Sequence, residues 1–529
     1  MINKILSIFI LLFFINCKND KKSTSEVKLP LEDPVTHTII RPIDINLIEK
    51  KNDSIQLYYK KFNEYEIWFN DENRADLINE IKFCYKEGLI PNEYNYDQIL
   101  ESEKKRATMS DSEIIAYDIF LTESFQKLAT HLHCGKTNPK DIYENWDIPQ
   151  KSIALSDLLY KAIKIRIVAT TFKDLKPQHS TYISLKKSLI TLNELPEYKL
   201  RKIYLKDKIE PNDTLNEIVQ IKKHLMYWKD FRNRDSIITP IYDKTAVTAL
   251  KKFQKRHGLS ADGVIGQGTL KALNFTQNER REQIYANLER WRWFPDNFGE
   301  EYLLINLPDY KLSYVANNDT IAERRIVVGK PSRETPIISS KLSNFVFNPT
   351  WTVPPTIIKE DLTPSATKNR SYFSRTRISI YDSKGQIVAP ENWDPNKSKS
   401  YRYVQTSGYD NSLGLVKFNF PNRHSVYLHD TNHRDYFVRE YRALSSGCVR
   451  IENPLQLSET ILKKEDEKRW NRAEIDTIIN KKETRYIPLK KSNINIYLFY
   501  WTSWSNKEGL QFREDIYNLD SKLFTALRN

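Results

Sequence analysis

Cysteine is scarce in this chain, with four in 529 residues, at positions 17, 84, 134 and 448. The three beyond the N-terminal segment cannot make a disulfide framework. One bridge, Cys84 to Cys134, is available and would leave Cys448 as the odd thiol. Glycine is also thin, at 13 residues, and with 82 Lys and Arg against 68 Asp and Glu the chain reads as the lysine-rich product of an AT-rich genome. No basic arm concentrates the charge. The net +14 is spread along the chain, which favours polyanions in general, anionic cell-wall polymers among them. Zinc-finger spacing, an RNP-like strand and a basic helix are all missing, so no nucleic acid is expected as a partner. The apolar run at the N-terminus, Ile5 to Ile15, covers eleven residues where about twenty are needed to span a bilayer.

What the chain does have is material for several folded domains: 40% hydrophobic residues, 12% aromatic, and 30 tyrosines. The first seventeen residues, MINKILSIFILLFFINC, are a charged start, an apolar run and then Cys17, the order of a secretory signal. Cys17 resembles the lipidated cysteine of the bacterial lipoprotein lipobox, with Asn16 and Phe14 standing where a small residue and Leu are usual. The segment from 1 to 17 is thus read as a lipoprotein signal peptide, with an uncleaved N-terminal anchor as the alternative. Residues 18 to 40 form a polar tether. The chain is expected in the periplasm, held by lipid to the outer membrane because no Asp follows Cys17 directly; the inner membrane is the alternative.

Residues 41 to 205 show apolar positions at three- and four-residue spacing and read as a helical domain. His131, His133 and Cys134 close one of its helices and suit the negative end of the helix dipole better than a metal. Residues 213 to 275 form a separate unit. Its run TAVTALKKFQKRHGLSADGVIGQGTLKALN resembles the small three-helix peptidoglycan-binding module through Phe253, Gln254, Gly258, Leu259, Asp262, Gly263, Gly266 and Thr269. The resemblance implies murein as ligand. From about 283 to 520 apolar and polar residues alternate as in a β-meander, with turns at Pro308-Asp309 and Asn317-Asn318. Residues 359 to 408 are irregular, polar and unlike a sheet, and read as an insertion. Strands resume at LGLVKFNF and SVYLHD, and the last pair forms a hairpin in INIYLFYWTSWSNKEGLQF.

Three readings are open for His429 and Cys448, nineteen residues apart. A metal set of His424, His429, His433 and Cys448 is disfavoured, because SVYLH is strand-like and no zincin spacing is present. A buried structural cysteine fits poorly with the turn Ser445-Ser446-Gly447-Cys448. As a nucleophile, Cys448 needs a base or positive field, and His429 can supply it. Gly447 lets the backbone approach a reacting carbonyl, and the amides of Gly447 and Cys448 can form an oxyanion hole. Arg450 faces the same way in an extended segment, toward a substrate carboxylate or an internal salt bridge. Histidine before cysteine excludes the papain-like order.

The residues HD…SSGCVR, with NPTWTVPPTI, DNSLGLVKFNFPN, VYLHDT and YWTSW…QFREDIY, resemble the YkuD-type L,D-transpeptidases. The likeness is closest to the YcbB-like subgroup of scaffold domain, peptidoglycan-binding module and catalytic domain with a capping insertion. The implied architecture is multidomain α+β: a helical scaffold, a three-helix module and a mainly-β catalytic domain whose insertion at 359 to 408 acts as a lid. The resemblance implies that Cys448 attacks the third residue of a tetrapeptide stem and expels D-alanine. His429 acts as base, oriented by a carbonyl such as that of Asp430, and Gly447 shapes the oxyanion site. Arg450, Tyr427, Trp351 and Ser446 line the donor cleft. Resolution by a neighbouring stem amine gives a 3→3 crosslink, and by water a carboxypeptidase reaction. No cofactor and no metal are needed. The alternatives are an inactive murein-binding scaffold, or an enzyme attaching or releasing a protein at the wall. A sortase-like ligase lacks its Thr-x-Thr-Cys strand end here.

Overall fold

The periodic apolar spacing of the front of the chain folds as helices, each started by a side chain that satisfies otherwise orphaned amides. In the computed structural model residues 30–33, 38–232 and 237–528 are described. Cys17, the signal segment and most of the tether lie outside them. At the tether's end Leu31–Glu32 pairs with Ile39–Ile40. Asn70 caps helix α1 (Asp71–Phe83), and a Ser110–Glu113 capping box opens α2 (Asp111–Cys134). They pack around Tyr59, Trp68, Leu77, Phe125 and Phe172, all fully buried. The bridge open to Cys84 and Cys134 is not made. Both thiols are free, Cys84 buried in this core and Cys134 donating to the Lys151 carbonyl. Among the described residues no helix is long and apolar enough to cross a membrane.

The helical front does not end cleanly where the sequence suggests. Strand β1 (Trp146–Asp147) leaves it to pair in parallel with the large C-terminal sheet, and α3 (Ser180–Asn193) packs its Tyr182, Leu185 and Leu189 into the core of that sheet. The three-helix module follows as α4 (Asn216–Tyr227), α5 (Lys244–Arg256) and α6 (Gln267–Leu273), with Phe253 and Leu250 at its centre. Its loop is built on Gln254. The Gln254 amide donates to Asp262 Oδ1 and the Val264 carbonyl, and its oxygen accepts from the Gly263 N–H. Gly263 sits at φ +84°, a conformation open to glycine, whereas a Cβ on Gly266 would meet nothing. Phe253, Asp262 and Gly263 therefore fold the module's core and loop.

Helix α7 (Gln277–Trp293) was read as the start of a β region, yet it is the most buried helix of the chain. Its polar residues are paired inward: Asn287 with Thr502, Arg290 with Asp520, Arg292 with Glu289. Around it wraps the large C-terminal sheet. The expected meander is β2 (Glu301–Asn306), β3 (Lys311–Ala316) and β4 (Asp319–Gly329), followed by β5 (Ile337–Lys341) and β6 (Asn344–Phe347).

The insertion corrects the expectation of an irregular segment. Strands β7 (Trp351–Thr352), β8 (Ile378–Tyr381), β9 (Ile387–Val388) and β10 (Arg402–Gln405) form a four-stranded sheet ordered β9-β8-β10-β7. It has its own core of Leu362, Phe373, Ile380, Trp393 and Tyr403. Trp393 donates to the Tyr403 hydroxyl at 2.7 Å, which donates to the Ser398 carbonyl. The sheet begins at Trp351, eight residues before 359.

The chain then returns to the main sheet with β11 (Val416–Asn419), β12 (Leu428–His429), β13 (Ala443–Ser445), β14 (Val449–Ile451), β15 (Arg485–Pro488) and β16 (Asn495–Phe499). Twelve strands run β15-β6-β11-β12-β14-β4-β3-β2-β16-β5-β1, with β13 beside β4. The terminal hairpin is β17 (Ser503–Asn506) with β18 (Gly509–Phe512), and a final helix α8 (Leu519–Arg528), absent from the sequence reading, packs on α7.

Candidate active site

Three neighbouring strands carry the site, and their alternation decides what faces it. Phe418, Leu428 and Val449 are fully buried on the core side of β11, β12 and β14. The residues between them point the other way. Lys417 is opposite His429, and His429 is opposite Arg450, so the three form one row across the sheet. Tyr427 and Cys448, each two residues earlier on its strand, face the same side. On this side Tyr427, His429, Cys448 and Arg450 line a cleft of 850 Å³ that reaches from Tyr143 and Asn145 of the helical front to Ile357 and Tyr372 of the insertion.

The local sequence fixes this arrangement at two glycines. Gly414 (φ +60°) precedes β11 so closely beside β12 that a Cβ there would lie 2.2 Å from the Asp430 carboxylate, which accepts from the Leu415 N–H and Arg434. Gly447 (φ +115°) makes the sharp turn before Cys448. Around that turn Ser445 Oγ donates to the Cys448 carbonyl, and Thr335 Oγ1 donates to the Gly447 carbonyl at 2.8 Å. The Gly447 N–H is taken by Ser445 Oγ. Among the described residues no hydrogen bond uses the Cys448 N–H, so of the two amides expected to form the oxyanion hole that one is free.

Cys448 is half-buried, and burial pushes its thiol above the ordinary range. The Tyr427 backbone and phenol act the other way, as do the charges of Lys417 and Arg450, and the thiol stays above its ordinary value. The indole of Trp351 acts in turn to lower the Tyr427 phenol, which places the first strand of the insertion's sheet beside this group. Lys417 Nζ lies 3.8 Å from the centre of the Tyr427 ring.

His429 is 5% exposed, and burial, with Arg450 and Lys417 nearby, lowers it to about 3. The imidazole is therefore neutral. The Asp430 carbonyl acts on the ring, while Nδ1 is buried with no well-aligned hydrogen-bond partner. Among the described residues no hydrogen bond joins His429 directly to Cys448. The ring packs edge-on against Tyr427, centroids 5.6 Å apart.

Arg450 makes no internal salt bridge, which removes one of its two expected roles. Its Nε and Nη1 are buried without partners beside the cleft, and its guanidinium lies over Tyr436. Ser446 is exposed, and its Oγ accepts from Arg333 Nη1 at 2.8 Å. His424 and His433 also line the cleft. Among the described residues, though, no group of three or more His, Cys, Asp or Glu could hold a metal ion.

Residues 300–475 match the family model of the L,D-transpeptidase catalytic domain. Residues 53–189 match the scaffold domain and 214–273 the "Putative peptidoglycan binding domain". A Haemophilus influenzae protein named "Putative L,D-transpeptidase" is 38% identical over 261 residues, 49% of this chain and 51% of that protein. The chain thus spans about half the length of the curated relative it matches. Two crystal structures of L,D-transpeptidases also align. One, from Xylanimonas cellulosilytica DSM 15894, is 14% identical, covers 56% of this chain and 99% of its own, and has a TM-score of 0.17. The other, from Stackebrandtia nassauensis, is 13% identical, covers 55% and 94%, and has a TM-score of 0.20.

Within residues 300–475, which match that model, sequence reading passed over Lys417, Thr335 and Arg333. Lys417 left a signal, since it interrupts the apolar run of GLVKFNF on the side away from the core. Thr335 and Arg333 sit in a polar loop with no pattern to mark them.

Proposed function

We propose that this protein is a peptidoglycan L,D-transpeptidase that forms 3→3 crosslinks through a thioester at Cys448. The observation that carries the reading is Cys448 itself. Its thiol is free, faces an elongated cleft beside Tyr427 and His429, and lies in the residues that match the catalytic-domain model. Cys448 Sγ attacks the carbonyl carbon of the third stem residue. The C–S bond forms, the C–N bond to terminal D-alanine breaks, and the thiol proton goes by way of His429 to the departing amine. A side-chain amine of a second stem then attacks the thioester, forming the new amide and returning the proton to sulfur. Water in its place gives the carboxypeptidase side reaction.

The free Cys448 amide serves the tetrahedral oxyanion, Arg450 the donor's carboxylate, and the lid excludes water so that aminolysis prevails. The binding module holds the wall, and the site of action is the periplasm or cell wall, with Cys17 as the lipid anchor. The test is incubation with purified tetrapeptide muropeptides and mass analysis of products. Crosslinked dimer and free D-alanine are expected from the parent, and neither from Cys448→Ala. Equal products from both proteins would overturn the reading.

A further inference from the structure

The residue row of the site holds two cations and no anion. From β6 Val346 flanks Lys417 on one side, and from β12 His429 flanks it on the other. Tyr427 lies beneath its ammonium, and Cys448 and Arg450 come from β14. From the turn after β12, Asp430 is committed to Leu415 and Arg434, while His433 stacks on Tyr436. The carboxylates of the lid, Glu360 and Asp361, are bound to Arg333. Among the described residues no carboxylate pairs with Lys417 and none of its side-chain hydrogen bonds is satisfied by protein. A half-buried ammonium without a counter-ion is costly, and a β-strand offers easy apolar substitutes at this position.

We propose that Lys417 is a positioning residue for the nucleophile: its ammonium, seated on the Tyr427 ring, is the counter-charge that favours the thiolate of Cys448. Of the groups on this face, the sulfur is the one whose ionisation would place an anion beside Lys417. The Tyr427 phenol is pushed far above its ordinary range by burial, and His429 stays neutral. An imidazolium at His429 is thus not the charge that stabilises the thiolate in this fold, and a fixed ammonium one strand away takes that part. The coupling is mutual: Lys417 lowers Cys448, and a thiolate at Cys448 raises Lys417, whose own burial lowers it. Ionisation of Cys448 moves one proton from sulfur to solvent and leaves Lys417 protonated and His429 neutral.

The proposal rests on Cys448 being the nucleophile, but its test reads the thiol and not the transfer reaction. Full-length protein is alkylated with iodoacetamide from pH 6 to 10, and the Cys448 peptide is quantified by mass spectrometry, which separates it from Cys84 and Cys134. Lys417→Met is expected to shift the profile about one pH unit upward, which is about tenfold slower alkylation at pH 7. Lys417→Arg, which keeps the charge, is expected to restore the parent profile. Lys417→Gln provides a second neutral variant should the methionine one not fold. A profile that stays in place in a folded neutral variant, or that moves equally with arginine, overturns the proposal. That result would leave the transpeptidase reading standing, while loss of crosslinking activity in the parent would not alter the alkylation outcome.

Discussion

Tyr427 and Cys448 sit side by side where β12 meets β14: the Val449 N–H donates to the Tyr427 carbonyl at 3.2 Å, and the Tyr427 backbone and phenol both act to lower the neighbouring thiol. The pairing of β12 with β14, which sets Leu428 opposite Val449, brings the two residues together. Trp351 of the insertion's sheet acts on the same phenol, so that sheet reaches the thiol through Tyr427.

Tyr427→Phe removes the O–H and keeps the ring, the backbone and the seat for Lys417. A hydrogen bond to a charged group contributes about 1.5–3 kcal/mol, or about one to two pH units in the thiol. Alkylation of Cys448 at pH 7 should therefore slow by about ten- to hundredfold and converge with the parent near pH 10. An unmoved profile would mean that the phenol does not support the thiolate.

Arg450→Met tests what the unpartnered guanidinium is for. Removing a buried cation that has no counter-ion relieves a desolvation cost, so the melting temperature should hold or rise. If Arg450 receives a donor carboxylate, KM for the tetrapeptide should rise about tenfold or more, the loss of one charge-assisted hydrogen bond. A stem with an amidated C-terminus should then be used equally by both proteins. A drop in stability with unchanged KM would assign Arg450 to packing instead.

The site loop and the binding module were legible because both depend on local geometry. Gly447 marks a sharp turn, and Gln254, Asp262 and Gly263 build one loop among themselves. The alternation around Phe418, Leu428 and Val449 revealed strands. It could not reveal that Lys417, His429 and Arg450 share a row, since that is set by pairing between strands distant in sequence. Helix α7 was hidden by its own charges. Residues such as Arg290 and Glu289 read as a solvated surface until their partners, Asp520 and Thr137, arrive from 230 and 152 residues away. The lid sheet escaped notice because its strands are two to four residues long and are held by Trp393, Tyr403 and Ser398 more than by any periodic pattern.

The neutral His429 predicts an acid-labile site. Its ordinary value is 6.5, and burial holds it at about 3 in the folded state. Above pH 6.5 the ring is neutral in both states and contributes nothing. Below it, the unfolded chain takes up a proton that the folded one refuses, so stability falls as pH falls toward 3. At pH 4.5, two units below the ordinary value, the loss is about 2–3 kcal/mol. His429→Gln cannot take that proton. In urea unfolding followed by the fluorescence of the catalytic domain, the variant should gain about this much on the parent between pH 7 and 4.5. The other histidines are common to both proteins and cancel. A constant difference across that range would place the His429 ring in contact with water.

Arg333 ties three parts of the cleft together. Its guanidinium holds Glu360 and Asp361 in the lid's first turns and Ser446 in the nucleophile loop, while its own side chain is 8% exposed. Each carboxylate is close to half exposed, so either pair alone contributes at most about 1 kcal/mol. Together they join the first turns of the insertion to the loop before Cys448, and under the proposed function they are expected to hold the insertion over the thioester. The double variant Glu360→Gln/Asp361→Asn should speed deuterium exchange across 358–375. It should also move product from crosslinked dimer toward hydrolysed tripeptide by a few-fold, with the acylation rate little changed, because water reaches the thioester more often once the lid opens. Faster exchange with an unchanged ratio of dimer to tripeptide would show that the lid does not control the fate of the acyl-enzyme.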